Sequence, residues 1–237
     1  MDTINILAVV TGTDRFPGRN LRTGLWLSEL THIYRSAERQ GYTVTVASPK
    51  GGDTPVDPVS LRTIFLDRLS KNCWNDPKFR DTLRHTKELD AVSEQRFDCV
   101  YLAGGHGAMF DFPDNAVLQA IIRSHFENGK TVAAICHGVS GLLNVRLSNG
   151  TYLIEGKKTT GFSWFEEVLA GRNKVVPFDL EASLKVRGAD YRKSIIPMIP
   201  KVVTDGNLIT GQDPFSSPAT AKAVLRQLDE KKKSKSR

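Results

Sequence analysis

The stretch Thr131-Val132-Ala133-Ala134-Ile135-Cys136-His137-Gly138 most narrows the folds open to this chain. An apolar run of β-branched and small residues stops at Cys-His-Gly, and an apolar pattern with helical spacing follows. That reads as a strand, a sharp turn and a helix, with a cysteine at the turn. A side chain at such an elbow projects from the end of a sheet instead of packing inside it. The helix that starts there offers unpaired N–H groups and a partial positive charge. Both favour a thiolate, the nucleophilic form of cysteine. The pattern points to a cysteine-dependent enzyme.

The rest of the chain supplies a sheet for that elbow. Residues 4–10 form an apolar run suited to a buried strand, and 11–20 form a loop broken by Gly12, Pro17 and Gly18. Leu25, Leu30, Ile33, Tyr34 and Ala37 recur at helical spacing, and Gly41 closes that helix. Residues 42–47 alternate like a strand. This βαβ unit implies a parallel sheet. Strands are also expected at 97–102 and 132–135, with a helix at 115–127 between them. A hairpin or crossing strand is expected at 152–160 and a short helix at 162–169. A hairpin turning at Asp205-Gly206 and a last helix at 217–228 complete the reading. The expected fold is an open α/β sheet, whose sites collect at the carboxyl ends of the strands.

Residues 50–96 are an excursion from the sheet, rich at first in Gly and Pro and then polar and charged. Leu61, Phe65, Leu69, Trp74, Phe79, Leu83 and Leu89 suggest short helices there. An insertion of this length is often a cap or lid; a second layer of structural helices fits the pattern equally well. Residues 1–230 are expected to form one domain.

Composition excludes several classes. Three cysteines, at 73, 99 and 136, make neither a disulfide framework nor a zinc-binding CxxC pair. With no membrane span and no signal-peptide pattern, the chain is expected to be cytoplasmic. The net charge is +7, but residues 231–237 carry five of those charges. They are expected to be a disordered basic tail and not a nucleic-acid arm.

Candidate residues gather at the strand ends. Cys136 is the nucleophile candidate, whereas Cys99 reads as core and Cys73 as structural. His137 can hold or take the thiol proton if the elbow brings adjacent side chains together. Gly104 and Gly105 end a strand and present N–H groups that, with the His137 amide, suit an oxyanion hole. His106 either touches substrate or caps the following helix. Glu29 sits among Trp26, Leu27, Leu30 and Ile33. The pattern favours solvent for it, but in a pocket desolvation would make it a proton donor near neutral pH.

The motifs Ala103-Gly104-Gly105-His106-Gly107, Ala133-Ala134-Ile135-Cys136-His137-Gly138, Thr160-Gly161-Phe162 with Glu166-Glu167, and Ile209-Thr210-Gly211-Gln212-Asp213-Pro214 together resemble the ThiJ/PfpI superfamily, also called class I glutamine-amidotransferase-like. The order and spacing resemble its longer branch of stress-induced holding chaperones and glutathione-independent glyoxalases, over nearly the whole chain. The resemblance implies a flavodoxin-like three-layer α/β/α sandwich, often a homodimer. It implies a nucleophile at Cys136, a histidine partner at His137 and an acid at Glu29 touching the sulfur. It places a carboxylate that orients the histidine at Glu167, with Glu166 the fallback. The chain departs from the family pattern at Val139, where proline is common, at Trp164, where a small polar residue is usual, and at Asp213, where asparagine is frequent.

The activity so implied is a glutathione-independent glyoxalase, converting methylglyoxal and water to lactate. It needs no metal or organic cofactor. The alternatives are a holding chaperone for unfolded chains, which needs an exposed apolar patch, and a peptidase or amidase, which needs an open cleft.

Overall fold

A computed structural model describes residues 3–235. The first half runs β1 (Asn5–Val9), α1 (Leu27–Arg39), β2 (Thr43–Ser48), α2 (Arg68–Asn75), α3 (Pro77–Arg84), β3 (Lys87–Glu88), α4 (Leu89–Val92), β4 (Cys99–Leu102), α5 (Ala108–Asp111) and α6 (Ala116–Glu127). The second half runs β5 (Thr131–Ile135), a 3-10 helix (Cys136–Leu142), β6 (Lys158–Thr159), α7 (Trp164–Leu169), α8 (Leu180–Val186), β7 (Asp190–Tyr191), β8 (Val202–Asp205), β9 (Leu208–Gly211), a second 3-10 turn (Pro214–Ser216) and α9 (Ser217–Lys235).

The main sheet has the order β3-β2-β1-β4-β5-β9-β8. All its neighbours pair in parallel except β8 and β9, which form the antiparallel hairpin expected around Asp205-Gly206. Alternation along the strands divides the core in two. Ile6 and Ala8 of β1, Tyr101 of β4 and Ile135 of β5 face α1 and α9. Leu7, Val9, Leu102 and Ala134 face α6 and its neighbours. Because each central strand is covered on both faces, it reads as an unbroken apolar run. The result is the expected three-layer α/β/α sandwich.

Helices α2 and α3 of the excursion pack on α1. Buried Ser70 and Thr31 hydroxyls lie 2.7 Å apart, and the Phe79 ring meets Tyr34 edge-on at 5.1 Å. Phe65, which precedes α2, instead turns toward Trp26 at the start of α1, with ring centroids 5.2 Å apart.

Four local expectations are corrected. Residues 152–160 form no hairpin: Lys158–Thr159 pair in parallel with Asp190–Tyr191 in a separate two-stranded sheet. The helix at Leu180–Val186 was not expected, although Asp179 caps it and Leu180 and Leu184 bury one face. The element after Cys136 is a buried 3-10 helix and not an α-helix. It is buried and closely packed: a Cβ at Gly138 would sit 2.5 Å from the Leu102 carbonyl oxygen. Finally, α9 continues to Lys235, so the basic segment is helical where disorder was expected. Lys231 anchors it by donating to the Gly129 carbonyl at 2.8 Å. Residues 236–237 of the expected tail lie outside the described residues.

Candidate active site

The candidate residues converge at the carboxyl ends of three adjacent strands, β4, β5 and β9. Cys136 follows β5 directly and holds φ +55, a left-handed conformation rare outside glycine. This strained elbow turns its side chain back toward its neighbour, leaving Cys136 Sγ 3.3 Å from His137 Nδ1. The adjacency that could have separated the two side chains is thereby overcome.

Glu167, in the first turn of α7, holds His137: Oε2 accepts from Nε2 at 2.7 Å. Its other oxygen, Oε1, accepts from His106 Nε2, also at 2.7 Å. His106 therefore neither caps a helix nor stands free. Its ring lies 4.1 Å from that of His137, centroid to centroid, and Phe162 covers the assembly with its ring 4.5 Å from His137. With both Nε2 atoms donating to one carboxylate, His137 carries its proton on Nε2, and Nδ1 is a bare acceptor facing the sulfur. Burial pushes the Glu167 carboxyl up, but the two histidines outweigh it and hold the group well below the usual carboxylate range. Burial lowers the His137 pKa, and His106 lowers it further against the pull of Glu167.

Glu166 bonds other partners. Its Oε2 accepts from Ser163 N and Oγ in a capping box, and its Oε1 accepts from Gln212 Nε2 at 2.9 Å. The residue that meets His137 is Glu167, as the motif alignment placed it.

Glu29 is fully buried, not solvated as its helical pattern favoured. Its Oε2 accepts the Gly104 N–H at 2.7 Å, while Oε1 is buried with no hydrogen-bond partner among the described residues, and Glu29 and Cys136 are close enough to shift each other's pKa. Burial pushes its carboxyl well up, which favours the protonated acid. Burial and the neighbouring Glu29 also push the Cys136 thiol well up, opposed by the His137 N–H. This corrects the expectation that the elbow favours the thiolate at rest. Burial and Glu29 favour the protonated thiol, and His137 Nδ1, 3.3 Å away, stands where it can take that proton during reaction.

The expected oxyanion hole is corrected too. The Gly104 N–H already serves Glu29 and the His137 N–H faces the sulfur, which leaves Gly105. Gly105 has φ +100, and a Cβ there would fall 2.1 Å from the Gly24 carbonyl oxygen. Its N–H has no acceptor among the described residues.

Cys136, His137 and His106 open onto a cavity of about 180 Å³. Cys136 and His137 contribute chemistry, while Trp26, Phe65, Phe162 and Phe215 contribute aromatic wall. Asp213 lies there as well, with Oδ1 bonded to Ser216 and Oδ2 without a partner among the described residues. Sequence reasoning met Asp213 only as a departure from a motif. Phe65 read only as part of the helical pattern of the 50–96 excursion and Phe215 gave no signal, because which aromatic residue reaches a site is decided by loop geometry. His106, His137 and Glu167 have donor atoms within 4.8 Å of one another, close enough to hold a metal ion. Here the histidines bond the carboxylate directly, and an ion would have to replace both hydrogen bonds.

The model of the DJ-1/PfpI family matches residues 22–227. The chain belongs to this family. It is 30% identical over 233 residues to the glutathione-independent glyoxalase HSP31 of Saccharomyces cerevisiae, covering 94% of this chain and 96% of that protein. It is 28% identical to glyoxalase 3 of Candida albicans, covering 93% and 96%. Among solved structures, the Francisella tularensis rapid encystment protein of 24 kDa superposes with a TM-score of 0.91 at 37% identity, covering 95% of this chain and 99% of that one. Glyoxalase III of Candida albicans superposes with a TM-score of 0.87 at 27% identity, covering 94% and 96%. No helix among the described residues is long and apolar enough to cross a membrane.

Proposed function

We propose that this protein is a glutathione-independent glyoxalase, converting a small α-oxoaldehyde and water to a 2-hydroxy acid, as methylglyoxal to lactate. The observation that carries the reading is Cys136 bonded to His137, which Glu167 holds, with the buried acid Glu29 beside the thiol, on a small cavity. Its relatives' names agree with it.

His137 Nδ1 takes the thiol proton as Sγ adds to the aldehyde carbon, and Glu29 protonates the aldehyde oxygen, giving a hemithioacetal. The Glu29 carboxylate or His137 then removes the proton on that carbon and returns a proton to the neighbouring carbon through an enediol. The resulting thioester is hydrolysed to the hydroxy acid and the free thiol. Glu167 holds His137 in the useful tautomer. The Gly105 N–H is the donor for developing negative charge on oxygen. None of these steps calls on a metal or organic cofactor. A cavity of about 180 Å³ suits a small aldehyde better than the peptide of a peptidase or amidase.

The test is methylglyoxal loss and lactate formation without glutathione, by wild type and Cys136→Ala. Turnover lost in the variant supports the reading; an inactive wild type ends it.

An exposed apolar surface favours a second, coexisting reading as a holding chaperone. Phe165, Ile195 and Pro197 line one shallow hollow, and Leu169, Met198 and Phe215 rim the cavity. Ile195 is 97% exposed. Cys136→Ala that still suppresses aggregation of an unfolded client would support it, and equal failure of wild type would remove it.

A further inference from the structure

We infer that the cavity is shaped for α-oxoaldehydes whose ketone carbon bears an aryl-sized apolar group, in preference to methylglyoxal. This rests on the glyoxalase reading above and goes beyond it by naming the substituent.

The cavity has two unlike parts. Cys136 and His137 are each 1% exposed and mark its floor, whereas Leu169, Met198 and Phe215 are each at least 37% exposed and mark its mouth. Between them stands a row of aromatic rings drawn from three separate parts of the chain. Trp26 meets Phe65 at 5.2 Å, nearly perpendicular, and Phe65 meets Phe215 at 6.3 Å. Methylglyoxal has a single methyl group to set against this wall. A phenyl ring on the ketone carbon would reach the wall while the aldehyde carbon stayed at Cys136. It would also find the edge-to-face partners that aromatic rings prefer.

The polar lining selects in the same direction. No Lys or Arg lines the cavity among the described residues, while Glu166 and Asp213 do. Nothing there neutralises a carboxylate or phosphate, so the substrate beyond its two carbonyls is uncharged. Trp26 adds a donor: its buried Nε1–H has no hydrogen-bond partner among the described residues. A ketone oxygen seated beside it would supply one.

The reaction balances without another reactant. The S–C bond forms at the aldehyde carbon, one proton moves from that carbon to its neighbour, and water cleaves the S–C bond. The aldehyde carbon is oxidised to the acid as the ketone carbon is reduced to the alcohol. Phenylglyoxal would yield mandelate.

The test compares kcat/KM for phenylglyoxal and methylglyoxal, corrected for uncatalysed loss, in wild type, Phe65→Ala and Phe215→Ala. A ring in a fitting apolar pocket should favour phenylglyoxal by about ten-fold or more. That ratio should fall toward one in either variant. Equal or better use of methylglyoxal by wild type overturns the inference and leaves the glyoxalase reading standing. A ratio unmoved by both substitutions overturns it too, because the aromatic row would not then be what reads the substituent. If neither compound is turned over, the glyoxalase reading fails and takes the inference with it.

Discussion

His106 and His137 share one carboxylate: their rings lie 4.1 Å apart, and each donates at 2.7 Å to a different oxygen of Glu167. The arrangement holds His137 from two sides, through its hydrogen bond and through the tilted ring of His106. It also lowers the His137 pKa, since burial and the neighbouring imidazole both oppose a positive charge. His106→Gln should therefore let that pKa rise. Neutral His137 is the competent base, so the acidic limb of the pH–rate profile should move to higher pH, and kcat should fall about ten-fold. A limb that stays in place would mean that His106 only fills space.

Glu29→Gln keeps an acceptor for the Gly104 N–H but cannot exchange a proton. It should lower kcat about 100-fold or more while leaving the circular-dichroism spectrum unchanged. Because burial pushes the native carboxyl well up, that carboxyl opposes folding once pH is high enough to ionise it. The variant should accordingly be at least as stable as wild type at pH 8. Near-native kcat would show that the acid is only a buried structural group.

These residues differ in how far the sequence announced them. Cys136 was legible because a strand pattern broke at a residue type that chemistry uses, and His137 because it stood beside it. The parallel sheet was legible because buried strands are continuous apolar runs. Glu29 misled: a charge on a helix face reads as solvated, and only the return of Gly104 from residues far along the chain buries it. The bond from His106 to Glu167 spans 61 positions, and no local pattern records it. The spacing of apolar residues after Cys136 suits an α-helix as well as the 3-10 helix found there, and the close packing at Gly138 leaves no mark in it.

All three cysteines are buried, but only Cys136 lies on the cavity. Burial pushes the Cys99 thiol up, and Cys99 lies on the central strand β4 away from the site; burial also raises Cys73, which Arg35 Nε contacts at 3.1 Å. Limited iodoacetamide labelling with mass mapping should modify Cys136 first, because His137 Nδ1 can take its proton. Peroxide should likewise oxidise it first, to a sulfinic acid. Earlier modification of Cys73 or Cys99 would contradict this order.

Asp213 makes folding stability depend on pH. Burial, aided by the charge of Glu166, pushes its carboxyl up from 3.8 to about 6. The folded state thus holds a proton that the unfolded chain releases. The contribution is fully present below pH about 3.8 and is lost as pH rises through about 6. Asp213→Asn keeps an acceptor for Ser216 and supplies a permanent N–H donor toward Glu166. Its Tm relative to wild type should rise by about 2–4 °C for each kcal/mol regained between pH 5 and pH 8. A constant difference across that range would mean that Asp213 does not titrate there.

Glu167→Gln and Glu166→Gln separate orientation from capping at adjacent positions. Glu167 is the acceptor that fixes the His137 tautomer, so its replacement should lower kcat by about two orders of magnitude or more and change KM little. Glu167 also raises the His137 pKa, against burial and His106, which lower it. Without that charge the pKa falls further, and the acidic limb should shift to lower pH, opposite to the shift expected for His106→Gln. Glu166 instead closes the capping box with Ser163 and bonds Gln212. Glu166→Gln, which keeps a capping-box acceptor for Ser163, should lower Tm little and leave the limb where it is. Paired pH–rate profiles and melting curves decide between the two roles. If both substitutions shift the limb in the same direction, the shift reflects the net charge of α7 acting on the pocket, and Glu167 would have no orienting role of its own.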